Sequence, residues 1–277
     1  MTADSEIALS EVHRTAFMAA TLRAGHYLHA DEPKIFEDSY AHRLLEMSDD
    51  EIRAFNANIP GPLLSTCVLR SRFTEDRLAA ALQRVNQYVI LGAGLDSYAL
   101  RKGADLGSLI VFEVDDPPFQ AWKRRRIETL GLTTPEQVRY VPCDFETMSV
   151  ADALAAQGFA ADEPCFITWL GVTQYLTLDA IRETLKWAAA RPKGSEIVLT
   201  IVEPGGRQAP APGMEVRPRQ IVDFTSYISM EEMTEMLREA GFSSVEPLTP
   251  AKAATFFEGR TDGLCAPQFQ RALAAIV

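Results

Sequence analysis

The chain has 277 residues, 47% hydrophobic and 23% charged, which is the make-up of a folded chain with a sizeable core rather than a disordered or fibrous one. Lysine and arginine total 27 against 38 aspartates and glutamates, and a net charge of -11 argues against a phosphate backbone as partner. No run approaches the roughly 20 apolar residues of a membrane helix, and Asp4 and Glu6 stand where an export signal would be basic and then apolar, so the cytoplasm is the expected compartment.

Residues 1–87 read as helices without strands: His13–His26 is apolar at helical spacing, Asp38–Met47 follows, and Ser71–Val85 carries Leu78, Leu82 and Val85 on one face. From residue 88 the period changes. Short apolar runs at 88–92, 109–114, 138–142, 165–169 and 196–202 alternate with helical segments, the pattern of a parallel sheet with crossover helices. The basic cluster Lys123–Arg126 falls in one of those segments and reads as a solvated helix face. A helix over 178–191 opens with Thr177 and Asp179 and closes before Gly194. The Pro- and Gly-rich stretch 203–218 predicts a long loop of the kind used as a lid or substrate contact. A helix over Met230–Ala240, ended by Gly241, and a strand over Ser244–Leu248 complete the series. A single domain is expected over 1–277, with the segment 1–87 contributing to a cap and a substrate site and an α/β core from 88 onward. The four cysteines, Cys67, Cys143, Cys165 and Cys265, have no paired spacing, so reduced core or pocket thiols are expected and no metal site.

The run Tyr88-Val-Ile-Leu-Gly-Ala-Gly-Leu-Asp-Ser97 puts a buried strand directly before a Gly92-x-Gly94 turn, where a ligand can approach backbone that a Cβ would shield. Such a turn also occurs as a plain strand-to-helix connection. A dinucleotide site would carry glycine or alanine at position 97 to seat a pyrophosphate, and Ser97 stands there instead. About 20 residues past the turn, where a ribose diol needs an acceptor, the second strand ends with Glu113 and Asp115 on one side of the strand; Asp116 reads as the cap of a helix from Pro117. The third ends at Asp144 and Phe145, an acceptor for an adenine amino group beside an apolar wall.

Taken together the motifs resemble the leucine carboxyl methyltransferase-like family of S-adenosylmethionine-dependent methyltransferases. The matching segments are Arg14-Thr-Ala16, Phe36-Glu-Asp-Ser-Tyr40, Arg70-Ser-Arg-Phe73, Leu91-Gly-Ala-Gly-Leu-Asp-Ser97, Phe112-Glu-Val-Asp115 with Pro117, Cys143-Asp-Phe145 and Gly171-Val-Thr-Gln-Tyr-Leu-Thr177, in order from about residue 11 to 260. The resemblance implies a doubly wound, mostly parallel seven-stranded sheet of the class I methyltransferase, Rossmann-like kind with an N-terminal helical extension. It implies S-adenosyl-L-methionine as cofactor, with Arg70 on the methionine carboxylate, Gly92 and Gly94 at its backbone, Asp115 on the ribose, and Asp144 and Phe145 framing the adenine. Arg72 competes with Arg70. The sequence departs from the family at Leu170, where an acid is usual and would help hold the cofactor's ammonium or line the transfer site.

Methyl transfer from a sulfonium is an in-line displacement that asks for alignment and exclusion of water. A carboxylate acceptor needs no base; a hydroxyl does, and His13, His26, His29, Asp96 and Tyr175 are the candidates by type, with Tyr175 the expected pocket contact and no base assigned. The expected acceptor is a carboxylate or hydroxyl of a small molecule, with no nucleic acid or membrane partner. A protein C-terminal carboxylate is the alternative. A nicotinamide oxidoreductase, which Ser97 opposes, and a non-catalytic cofactor-binding protein, which Leu170 leaves open, stand behind it.

Overall fold

The computed structural model describes residues 11–204, 224–267 and 270–277. The N-terminal helices are α1 (Glu11–His29), α2 (Ala41–Leu44), α3 (Asp49–Ala57) and α4 (Gly61–Ala81), and the core then runs β1 (Gln87–Leu91), α5 (Tyr98–Lys102), β2 (Ile110–Asp115), α6 (Pro117–Thr129), β3 (Val138–Pro142), α7 (Val150–Ala156), β4 (Cys165–Trp169), α8 (Leu178–Ala189), β5 (Glu196–Val202), α9 (Met230–Ala240), β6 (Ser244–Pro247), α10 (Pro250–Thr255) and β7 (Gln270–Ile276). Of the expected loop at 203–218, everything from residue 205 on lies outside the described residues. No helix among the described residues is long and apolar enough to cross a membrane.

The seven strands are ordered β3-β2-β1-β4-β5-β7-β6; the first five are parallel, and β7 runs antiparallel between β5 and β6. Strands buried on both faces need apolar side chains on both, and alternate residues serve opposite cores. Val89 and Leu91 join Leu154, Leu185 and Met233 on the face covered by α7, α8 and α9, while Tyr88 and Ile90 join Leu78 of α4 and Tyr98 of α5 on the other. Helices on both faces make the sheet doubly wound, and the chain direction of the strand order reverses between β1 and β4. That reversal opens a crevice at the carboxyl ends of the strands.

Several local expectations need correction. Strand β7 was not legible because Arg-Ala-Leu-Ala-Ala-Ile carries little β propensity, yet Leu273 and Ala275 face one core while Ala274 faces the other. The helix expected over 38–47 shrinks to α2 because the Asp38 carboxylate turns inward, accepting from Ala41 N at 2.9 Å and from Ser97 Oγ at 2.6 Å. Helix α3 comes in addition to the expected helices, opened by the capping box of Ser48 and Glu51, and α4 starts at Gly61 rather than Ser71, with Pro62 in its first turn. The basic cluster of α6 is a solvated face only at Arg124 and Arg125, which are exposed. Lys123 is 2% exposed and its Nζ donates to Glu113 Oε2 at 2.7 Å, while Arg126 donates to the carbonyls of Leu44 and Leu45 and ties α6 to α2. Cys67, Cys143 and Cys165 are buried and Cys265 is exposed.

Candidate active site

The glycine turn is fixed from three directions. Gly92 and Gly94 have φ of 68° and 48°, values that disfavour any side chain. Gly92 N and Ala93 N both donate to Val114 O, at 2.9 and 3.0 Å, folding the turn tightly against β2. A Cβ on Gly92 would sit 2.4 Å from Val172 Cγ2, and one on Gly94 would press Ala16 of α1 at 3.2 Å. Asp115, at the end of β2, then receives the turn: one carboxylate oxygen accepts from Gly94 N and the other from Asp116 N at 2.7 Å. Burial raises the Asp115 carboxyl above its usual range, outweighing those two N–H bonds and the nearby Lys123 ammonium. A carboxylate has about four acceptor positions, so a pinned Asp115 can still take two hydroxyl donors from a vicinal diol. Glu113, expected on the same side, is instead buried against Lys123 and does not line the cleft.

Arg70, Gly92, Gly94, Asp115, Asp144, Phe145 and Tyr175 all line one cavity of about 320 Å³. Sheet order sets their sequence in space: Asp144 and Phe145 follow β3, Asp115 ends β2, Gly92 follows β1, and Leu170 and Gly171 follow β4. Three strand spacings separate the ends of this series, roughly 14 Å at about 4.8 Å each, the reach of an extended nucleoside-sized ligand. Asp144 holds its own loop, accepting from Glu146 N at 2.9 Å and Thr147 Oγ1 at 2.8 Å, and these bonds keep its carboxyl below the usual range. Phe145 is half-buried against the core beneath.

At the opposite end, Arg70 projects from α4 over Gly171. A Cβ on Gly171, whose φ is 71°, would lie 2.7 Å from Arg70 Nη1, so the glycine makes room for the guanidinium. Thr200 Oγ1 accepts from Gly171 N at 2.8 Å and anchors that turn to β5. Arg72 takes no part: its Nε donates to both oxygens of Asp76 at 2.8 Å, on the outer side of α4. Tyr175 closes a short 3₁₀ turn (Thr173–Tyr175) and meets the Phe224 ring edge-on at 5.6 Å.

Of the candidate bases, His13, Asp96 and Tyr175 line the cavity, and His26 and His29 do not. His26 is buried, and its Nε2 accepts from Ile35 N at 3.1 Å and Phe36 N at 3.4 Å; desolvation, aided by the Arg260 charge, lowers it to about 4. It is a structural acceptor. His13 stacks on Phe119 with centroids 4.7 Å apart and pairs with Asp116 at 3.2 Å, while Asp116 also caps α6. No group of three or more metal-ligating side chains occurs among the described residues.

Sequence reasoning missed Arg23. It lines the cavity from α1, donating from Nε to Asp38 at 2.8 Å and from Nη2 to Leu95 O at 2.8 Å, so it grips the glycine turn from above. Arg101 Nε donates to Ser97 Oγ at 3.0 Å, completing a buried network under the turn. The only signal was Ser97 itself, standing where a dinucleotide site needs a small apolar residue.

The sequence profile of the leucine carboxyl methyltransferase family matches residues 16–189, a span holding Arg70, the glycine turn, Asp115, Asp144 and Tyr175. The chain belongs to the leucine carboxyl methyltransferase family. Its relatives include YktD of Bacillus subtilis (strain 168), 29% identical over 293 residues, which cover 93% of this chain and 95% of that protein. A protein of Mycolicibacterium gilvum (strain PYR-GCK) is 32% identical over 265 residues, covering 86% and 84% of the two chains. Both are provisionally named S-adenosyl-L-methionine-dependent methyltransferases. A DUF574 family protein of Streptomyces avermitilis superposes with a TM-score of 0.53 at 14% identity, over 94% of this chain and 96% of its own. The architecture of this leucine carboxyl methyltransferase family member is the class I methyltransferase fold, and the protein is a methyltransferase.

Proposed function

We propose that the cleft binds S-adenosylmethionine and that the protein transfers its methyl group to a carboxylate or hydroxyl oxygen of a small molecule. The observation that carries this reading is the order of strand ends around one cavity: an adenine-type wall after β3, a diol-type acceptor ending β2, a bare backbone turn after β1 and a guanidinium over the β4 turn. The donor set fits the ligand. Asp115 offers free acceptor positions for the ribose diol, Asp144 and Phe145 flank the adenine, Gly92 and Gly94 leave backbone open, and Arg70 faces the methionine carboxylate as a planar fork. The relatives' names support the same cofactor. Ser97, committed to Asp38, stands where the nicotinamide dinucleotide fingerprint carries glycine or alanine.

When bound, the cofactor supplies a sulfonium methyl as electrophile. The protein's part is alignment and exclusion of water. Helix α1 covers the glycine turn with Ala16, and Leu170, Val172 and Leu176 give the transfer end an apolar lining that favours a small organic acceptor. A carboxylate acceptor needs no proton removed; for a hydroxyl, His13, Asp96 and Tyr175 are the candidate side chains that line the cleft. Carboxyl methylation of a protein C terminus, which the family name favours, is the second reading.

Calorimetric titration with S-adenosylmethionine and with NADH tests the cofactor, and labelled methyl transfer to panels of small carboxylates, phenols and C-terminal peptides tests the acceptor. Asp115→Ala should weaken S-adenosylmethionine by more than about 1 kcal/mol, the scale of a charged hydrogen bond. Unchanged affinity removes the ribose assignment.

A further inference from the structure

Five acidic side chains line the cleft among the described residues: Asp96, Asp115, Asp116, Asp144 and Glu146. Four of them follow β2 or β3, at the adenosine end. Asp96 stands apart, two residues past Gly94 in the turn that leads from β1 into α5. Its Oδ1 accepts from Tyr98 N at 2.8 Å, which fixes the carboxylate at the start of α5 while the side chain still reaches the cavity. Its charge also adds to the effect of burial in raising the Tyr88 phenol, and the Tyr88 hydroxyl accepts from Thr168 Oγ1 at 3.2 Å. Strands β1 and β4 are neighbours, so the turn that carries Asp96 and the turn beneath Arg70 open side by side on the same cleft.

An α-amino acid group is a zwitterion, held most strongly where a cation meets its carboxylate and an anion meets its ammonium. Arg70 is the cation at this end. The end of β4 offers no anion, because its wall there is Leu170, Gly171 and Val172. We infer that Asp96 is the anionic partner of the ammonium on the cofactor's amino acid portion, an assignment that rests on the cofactor reading above. Arg70 over the β4 turn and Asp96 just past the β1 turn would take the carboxylate and the ammonium separately, and two such anchors would fix the orientation of the amino acid arm.

The test is calorimetric titration of two thioethers, S-adenosylhomocysteine and 5′-methylthioadenosine, the second being the same nucleoside without the amino acid group. Asp96→Asn keeps an oxygen for the Tyr98 amide and removes only the charge. It should weaken S-adenosylhomocysteine at least tenfold and leave 5′-methylthioadenosine within twofold. Equal losses for both ligands would mean a structural role, and an unchanged S-adenosylhomocysteine affinity would mean no role; either overturns the assignment. If the asparagine variant does not fold, Asp96→Ser, with a hydroxyl to accept from Tyr98 N, is read the same way. Failure of the unaltered protein to bind either thioether overturns the cofactor reading and this assignment with it, a result distinct from the two above.

Discussion

The Ser97 hydroxyl donates to Asp38 Oδ1 at 2.6 Å, and through this bond the loop ahead of α2 holds the first residue before α5. Burial alone would raise the Asp38 carboxyl, but Arg23 and Arg101 bring it below its usual range, so Asp38 stays ionised between two buried cations. Asp38→Asn strands the Arg23 charge, while Arg101 keeps its pair with Glu75. It should cost about 3 kcal/mol in urea unfolding, the scale for breaking a buried pair, and should weaken S-adenosylhomocysteine because Arg23 no longer fixes the Leu95 carbonyl. A variant as stable as the parent would show that the network holds nothing.

A second buried pair, Glu113 with Lys123, lies beneath Asp115. Removing one charge leaves the other without a partner in the core, so Glu113→Gln should lose about 3–5 kcal/mol. Replacing both, as Glu113→Leu with Lys123→Met, should restore stability to within about 1 kcal/mol of the parent, because two well-packed apolar groups no longer pay for desolvation. Chemical denaturation of the three proteins decides it.

Two arginines one turn-half apart on α4 should behave oppositely. Arg70→Met should weaken S-adenosylmethionine at least tenfold, and Arg72→Ala, which removes the exposed pair with Asp76 and contacts to the Ile35 carbonyl and the Phe256 ring, all outside the cleft lining, should leave it within twofold. Gly171→Ala should follow Arg70→Met, since the new Cβ displaces the guanidinium. Titration of the three folded variants, checked by thermal melting, gives the ranking.

Acid sensitivity should trace in part to His26. Its folded value, about 4, lies below the unfolded value near 6.5, so its contribution is complete above pH 6.5 and is lost as pH falls toward 4. Between pH 7 and pH 4.5 the loss amounts to about 2 kcal/mol by this group alone. Urea unfolding of the parent and of His26→Gln, which cannot take a proton, should converge by that amount over the same interval; parallel curves would exclude the effect.

The strand ends were legible because each is a local event: an apolar run stops, and the next residue is a glycine or a carboxylate. Gly92, Asp115 and Asp144 could therefore be placed in the sequence as three openings onto one crevice, and the cavity does contain them. What could not be read was decided across space. Glu113 and Asp115 have the same parity on β2, and only Lys123, arriving from α6, separates a core ion pair from a cleft carboxylate. Likewise nothing near Arg23 signals that it closes over Leu95, and Arg70 and Arg72 are equivalent until Asp76 and Gly171 distinguish them. Strand β7 escaped because alanines satisfy a crowded sheet interior without announcing a strand.

The chain produces β5, β6 and β7 in that order, whereas the sheet seats β7 between the other two. Until 270–276 dock, β5 and β6 each present a row of unsatisfied amides and carbonyls toward a vacant slot one strand wide. Newly made or refolding molecules thus pass through a stage that invites pairing with neighbours, and recovery of native protein from denaturant should improve on dilution.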